Sequence, residues 1–200
     1  MNILAVDTAG KTAGVALLQD DRLLYEVYLD AGMTHSETLM PMIDTCLKMC
    51  GMTCADIDLY GVNAGPGSFT GLRIGLAAVK GLAFPRETLC APVSTLEALA
   101  AAHTGEGTVL CALDARRAQV YSAAFDLATH SRLLEDDARA VADLADFVEN
   151  CKKPPVFLLV MDASLCYNKY GSVPGVLQAP AALRGGRAAA VALVAKQMAE

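Results

Sequence analysis

An acid that closes an apolar run and is followed by hydroxyl and basic side chains can hold a phosphate, and Asp7, Thr8, Lys11 and Thr12 have that pattern. Backbone N–H groups of such a turn would face the anion while the carboxylate orients a metal-bound water. The same residues serve equally as a polar hairpin turn, in which Asp, Gly and Thr are present for conformation alone. A second turn, Asp114 to Gln119, carries Arg116 and Arg117 and no glycine. Gly65-Pro66-Gly67 ahead of a helix can aim N–H groups at an anion, yet it lacks the lysine and serine spacing of a P-loop. His35-Ser36-Glu37 and Ser68 suggest a hydrolase only until Gly65-Pro-Gly-Ser-Phe69 is set against a G-x-S-x-G elbow, where Phe69 takes the place of the second glycine.

The seven cysteines form no CxxC pair and flank no histidine at zinc spacing, so they read as reduced thiols of a cytosolic core. Cys46, Cys50 and Cys54 recur every four residues, but Gly51 ends a helix between the second and third. That favours a packing face over a metal or redox site.

These residues need elements to position them. Asn2 to Asp7 and Ala13 to Leu18 read as a hairpin around the Asp7 turn, and Leu23 to Leu29 alternates as a third strand with one wet face. A helix follows to Cys50, with Thr34 or Ser36 as its N-cap. Asp56 to Asn63 is an apolar strand, and a second helix runs from about Phe69 to Phe84, with Gly71, Gly75 and Ala78 on one smooth face open to another backbone. A brief strand, Pro92 to Ser94, leads to a helix from Thr95 to His103. His103 to Thr108 is the best linker segment. Beyond it come strands at Leu110–Asp114 and Val120–Phe125, a helix from about Ala138 to Asn150, a strand from Val156 to Val160, an irregular stretch from Tyr167 to Gly186, and a last helix from Arg187 to Ala199.

Ile3-Leu-Ala-Val-Asp7, turn, strand is echoed by Leu110-Cys-Ala-Leu-Asp114, turn, strand, which points to a duplicated lobe. Domains of 1–103 and 104–200 follow, the second being thinner. The helices at 36–50 and 69–83 carry more apolar surface than one sheet can cover, and the expected interface residues are Leu39, Met42, Ile43 and Cys46 on the first and Phe69, Leu72, Leu76 and Val79, with the basic Arg73 and Lys80, on the second. Together they form an expected two-helix platform for a second copy or a paralogue.

Composition bounds the function. With 54% apolar and 19% charged residues the chain folds, and its net charge of −6 argues against binding a nucleic-acid backbone by itself. The start, MNILAVDTAG, reads as a strand and not a signal peptide. No run of eighteen uncharged apolar residues suggests a membrane span.

The strings Asp7-Thr8, His35-Ser-Glu37, Asn63-Ala-Gly-Pro-Gly-Ser-Phe-Thr-Gly-Leu-Arg-Ile-Gly75, Lys80-Gly-Leu-Ala83, Val93-Ser-Thr-Leu-Glu-Ala98 and Ala112-Leu-Asp-Ala-Arg-Arg117 resemble the TsaB (YeaZ) family of bacterial tRNA threonylcarbamoyladenosine biosynthesis proteins. The resemblance runs in order over residues 1 to about 126. It implies the two-lobed actin, hexokinase and chaperone-ATPase α/β fold, each lobe on a five-stranded mixed sheet, the second lobe reduced. It also implies a cytoplasmic scaffold that pairs with the catalytic paralogue TsaD and the ATPase TsaE, forms a homodimer when alone, and meets tRNA only through the complex. The paralogue holds its metal with two histidines four apart; here Thr95 and Leu99 stand in their places, so no metal site and no catalysis are expected. Asp7, Thr8, Lys11, Thr12, Asp114 and Arg116 would then be vestigial nucleotide turns. No cofactor would be tightly bound, ATP being used by the partners. The alternative is a small ATP-dependent phosphotransferase of the same fold. Two departures from the family fall in the second lobe: Met161-Asp-Ala163 replaces a glycine-rich turn, and the sequence ends at Glu200 without the family's tyrosine-containing tail.

Overall fold

The computed structural model describes the whole chain except residues 152–155, 162–163 and 181–183. Two compact units result, Met1–Ala98 with Gly186–Glu200, and Leu99–Gly185.

The first unit is built on strands β1 (Asn2–Asp7), β2 (Ala13–Gln19), β3 (Arg22–Leu29), β4 (Leu59–Gly65) and β5 (Leu89–Ser94) in the order β3-β2-β1-β4-β5. β1–β2 and β2–β3 are antiparallel hairpin partners, whereas β1–β4 and β4–β5 are parallel, each reached through a helix. Those helices are α1 (His35–Met49) and α2 (Phe69–Ala83). Thr34 caps α1, its N–H (3.3 Å) and hydroxyl (2.7 Å) both donating to the Glu37 carboxylate. Ser68 caps α2 by accepting the Gly71 N–H.

Alternation along the central strands sends side chains to two faces. Leu4, Val6, Val15, Leu17, Tyr60 and Val62 meet Leu39, Met42, Ile43, Cys46 and Leu47 of α1 and Val79 and Ala83 of α2. The opposite face carries small residues, and the last helix, α6 (Ala188–Ala199), lies on it: a Cβ on Gly61 would stand 3.0 Å from the Ala195 Cβ. Residues 104–200 therefore do not form one lobe. The final helix belongs to the first sheet, and the boundary falls at Ala98/Leu99, inside α3 (Thr95–Ala101), ahead of the glycine-bearing segment expected as the linker.

The second unit repeats the plan. β6 (Thr108–Arg116), β7 (Gln119–Asp126), β8 (Arg132–Ala140), β9 (Val156–Met161) and β10 (Val176–Gln178) are ordered β10-β9-β6-β7-β8. With β6 matched to β1 the order and the parallel or antiparallel sense of every pairing coincide with the first sheet. Short helices α4 (Ala145–Glu149) and α5 (Ser164–Tyr170) pack on it through Val148, Cys166 and Tyr170. Of the helix expected from Ala138 to Asn150, the first three residues end strand β8, which pairs with the edge of β7 as far as Ala140, Val141–Leu144 form a single 3-10 turn, and only Ala145–Glu149 are α-helical. The stretch expected as irregular after Tyr167 holds the end of α5 and strand β10. In the expected Met161-Asp-Ala163 turn, residues 162 and 163 lie outside the described residues. No described helix is long and apolar enough to cross a membrane.

Candidate functional site

Register places Asp7 and Asn63 side by side, since Val6 pairs with Val62 on parallel β1 and β4. They lie at the carboxyl ends of parallel strands, where ligand sites of open α/β sheets form. Asp7 is only 2% exposed, and its Oδ1 accepts the Ala9 N–H at 3.0 Å. The Asn63 side chain lies beside the carboxylate, but among the described residues no donor meets Oδ2 with hydrogen-bond geometry. Burial raises the Asp7 pKa, opposed by the Ala9 N–H, the Asn63 side chain and His35.

The turn after Asp7 is fastened to α2 and α1. Thr8 Oγ1 donates to the Gly71 carbonyl (2.8 Å), the Ser68 N–H donates to the Ala9 carbonyl (2.7 Å), and His35 Nε2 lies 2.9 Å from the Gly10 carbonyl. The smooth face of α2 thus accepts a backbone, as its glycines foretell, and that backbone is the chain's own: a Cβ on Gly71 would collide with the Thr8 carbonyl, and one on Gly75 would stand 2.5 Å from Thr8 Oγ1. Thr12 is buried and Lys11 exposed. Gly186 covers the remaining side of Asp7, where a Cβ would strike Oδ2. That oxygen is shut off from solvent. Sequence reasoning missed both neighbours, although a polar residue ending the strand beside β1 is a signal for Asn63, and the Gly185-Gly186 doublet marks a close approach.

Asp114 repeats the brace, its Oδ1 accepting the Arg116 N–H at 2.7 Å, as Asp7 accepts from Ala9. Here the turn is exposed. Arg116, Arg117 and Ala118 all lie in the left-handed region (φ 66°, 53° and 60°), where each non-glycine residue costs on the order of 1 kcal/mol.

The platform residues divide. Leu39, Met42, Ile43 and Cys46 of α1 and Val79 of α2 are buried in the first unit's own core and present nothing outward. This corrects the expectation: the apolar rows at 3–4 residue spacing are the core-facing rows, because each helix must bury one stripe on its sheet. What α2 offers outside is Phe69 (69% exposed), half-buried Leu72 and Leu76, and exposed Arg73 and Lys80. The Arg73 guanidinium stacks 3.8 Å from the Phe69 ring. On α1 the outward apolar residues are Met40 and Met49.

Thr95 and Leu99 are buried one turn apart on α3. Among the described residues no group of three or more His, Cys, Asp or Glu side chains is placed to hold a metal. Burial, then neighbouring Cys50, pushes the Cys46 thiol up to about 12, which makes it a packing group and not a nucleophile.

A family model described as TsaD, tRNA N6-adenosine threonylcarbamoyltransferase, matches residues 29–163. The chain is 38% identical over 172 residues to the tRNA threonylcarbamoyladenosine biosynthesis protein TsaB of Bacillus subtilis, covering 82% of this chain and 73% of that one. It is 38% identical to the TsaB of Escherichia coli over 62% of this chain, and spans 55% of that protein's length. Among solved structures, YeaZ from Pseudomonas aeruginosa superposes with a TM-score of 0.80 at 26% identity, over 98% of this chain and 91% of that one. A ROK hexokinase from Thermus thermophilus superposes with a TM-score of 0.55 at 13% identity over 100% of this chain and 99% of that one, a likeness of fold alone.

Proposed function

The chain belongs to the TsaB (YeaZ) family, and from that membership we propose that it is the cytoplasmic, non-catalytic scaffold of the complex that places threonylcarbamoyl on the adenosine next to the anticodon of tRNAs. It acts by binding TsaD, with TsaE joining the assembly, and pairs with itself when TsaD is absent. ATP is used by the partners, and tRNA is met only through the complex.

The observation that carries this reading is the outward edge of α2, where Phe69 is exposed and Leu72 and Leu76 stay half-buried, Leu76 with one side on the core, although nearby Val79 and Ala83 are buried. Large aromatic and basic side chains on a rigid helix suit a protein interface. Two things count against the phosphotransferase alternative: Gly186 covers Asp7, and the burial of that carboxylate works against an ionised base. Thr95 and Leu99 supply no imidazole to anchor a metal for group transfer.

Phe69→Glu, at a fully outward position, and Leu76→Glu, at a half-buried one, test the ridge. Each should melt near the wild type or only slightly below it, and run as a monomer. Each should also lose TsaD in co-purification and fail to support tRNA modification in the reconstituted complex. A Phe69→Glu protein that still dimerises, binds TsaD and supports modification removes the ridge from the interface.

A further inference from the structure

We infer that the tip of the β6–β7 hairpin, Arg116-Arg117, docks on the phosphodiester backbone of an RNA that a partner subunit holds; the inference rests on the tRNA-modification reading above. Its first support is conformation. The closing pair of the hairpin is Arg116 with Gln119, leaving Arg117-Ala118 as a two-residue loop with positive φ at both positions. Loops of that shape take Asn-Gly or Asp-Gly, since a Cβ is strained there, and the strain here extends to Arg116. Strained backbone of this kind points to side chains retained for use. One oxygen of the Asp114 carboxylate accepts the Arg116 N–H and braces the backbone of the exposed tip.

The second support is that the other arginines described in this unit are engaged. Arg132 lies over the Phe125 ring and pairs with Asp136, Arg139 donates to Ser122 and the Glu135 carbonyl, and Arg184 donates to the Ala179 carbonyl. Arg116 and Arg117 are exposed, and among the described residues neither side chain makes an ion pair or hydrogen bond. A planar guanidinium fork matches two phosphate oxygens at once, and two such forks in sequence can follow a backbone. A chain of net charge −6 cannot gather RNA alone, so the tip adds to a grip supplied elsewhere.

The test uses the full chain reconstituted with TsaD and TsaE and an unmodified tRNA transcript. Arg116→Glu with Arg117→Glu should raise the KM for tRNA roughly tenfold at nearly constant kcat and reduce the salt dependence of log KM by about one to two. Arg116→Lys with Arg117→Lys should keep most of the wild-type KM. Arg117→Asn with Ala118→Gly gives the hairpin its preferred turn, so it should melt higher while still raising the KM for tRNA. An unchanged KM in the double Glu variant overturns the inference. So does a loss of TsaD affinity with the tRNA term intact, which would make the tip a protein contact. If the wild-type chain adds nothing to modification, the functional reading itself has failed, and this inference falls with it.

Discussion

Asp7 closes β1 at the carboxyl end of the parallel strands, and its neighbours bury it. Burial holds its folded pKa above the unfolded value of about 3.9, so ionising it works against the fold. That penalty is absent below the unfolded pKa and grows as pH rises from about 4 toward neutrality. Asp7→Asn keeps an acceptor for the Ala9 N–H and removes the charge. The variant should therefore melt above the wild type at pH 7, with the gap closing at pH 4, and support tRNA modification undiminished. A lower melting temperature at pH 7 would mean that the ionised carboxylate has a partner this geometry does not provide. Glu26 makes the opposite case. Nearly buried on β3, it pairs with Arg187 and accepts the Ala189 N–H at 3.1 Å, serving as a cap for α6 from another element. Glu26→Ala strands both groups and should destabilise by about 2–3 kcal/mol, read from urea unfolding.

At the scale of elements, α2 is a helix whose glycines have unequal jobs. Gly71 and Gly75 meet Thr8, whereas Gly81 faces open space. Gly81→Ala should stabilise by about 0.5–1 kcal/mol through helix propensity alone. Gly71→Ala drives a methyl into the Thr8 carbonyl, and overpacking should exceed that gain and destabilise by about 2–3 kcal/mol. Urea midpoints moving in opposite directions would confirm that α2 is clamped on the Asp7 turn along one edge only. The same clamp leaves Phe69 exposed and Leu72 and Leu76 half-buried, so internal packing and the proposed docking ridge lie on different sides of one helix.

For the whole molecule, the C-terminal return of the chain decides stability. α6 buries Ala188, Ala190, Val191, Ala192, Val194 and Ala195, covering the face of the first sheet that α1 and α2 do not reach. Deleting residues 186–200 would expose that face and uncover Asp7 together. The truncated chain should be insoluble or unfolded by circular dichroism; a cooperatively melting truncated protein would show that the sheet tolerates one bare face. The strand order is duplicated in the two units, and the returning helix α6 lies on the first sheet.

Strands β1 to β4, β6, β7 and β9, helices α1 and α2 and the duplicated hairpins were legible in the residues themselves, whereas β8 and β10 were not. Period-two alternation, the Thr34–Glu37 cap and the Asp turns are local signals, and local energetics honour them. The register that seats Asn63 beside Asp7, the closure of that site by Gly186, and the return of α6 to the first sheet are contacts between residues far apart in the chain, carried by no local period. The division of α1 and α2 into inward and outward rows was misread for the same reason. A stripe of apolar side chains reports that a helix is covered on one side, and only the position of its sheet says which side remains for a partner.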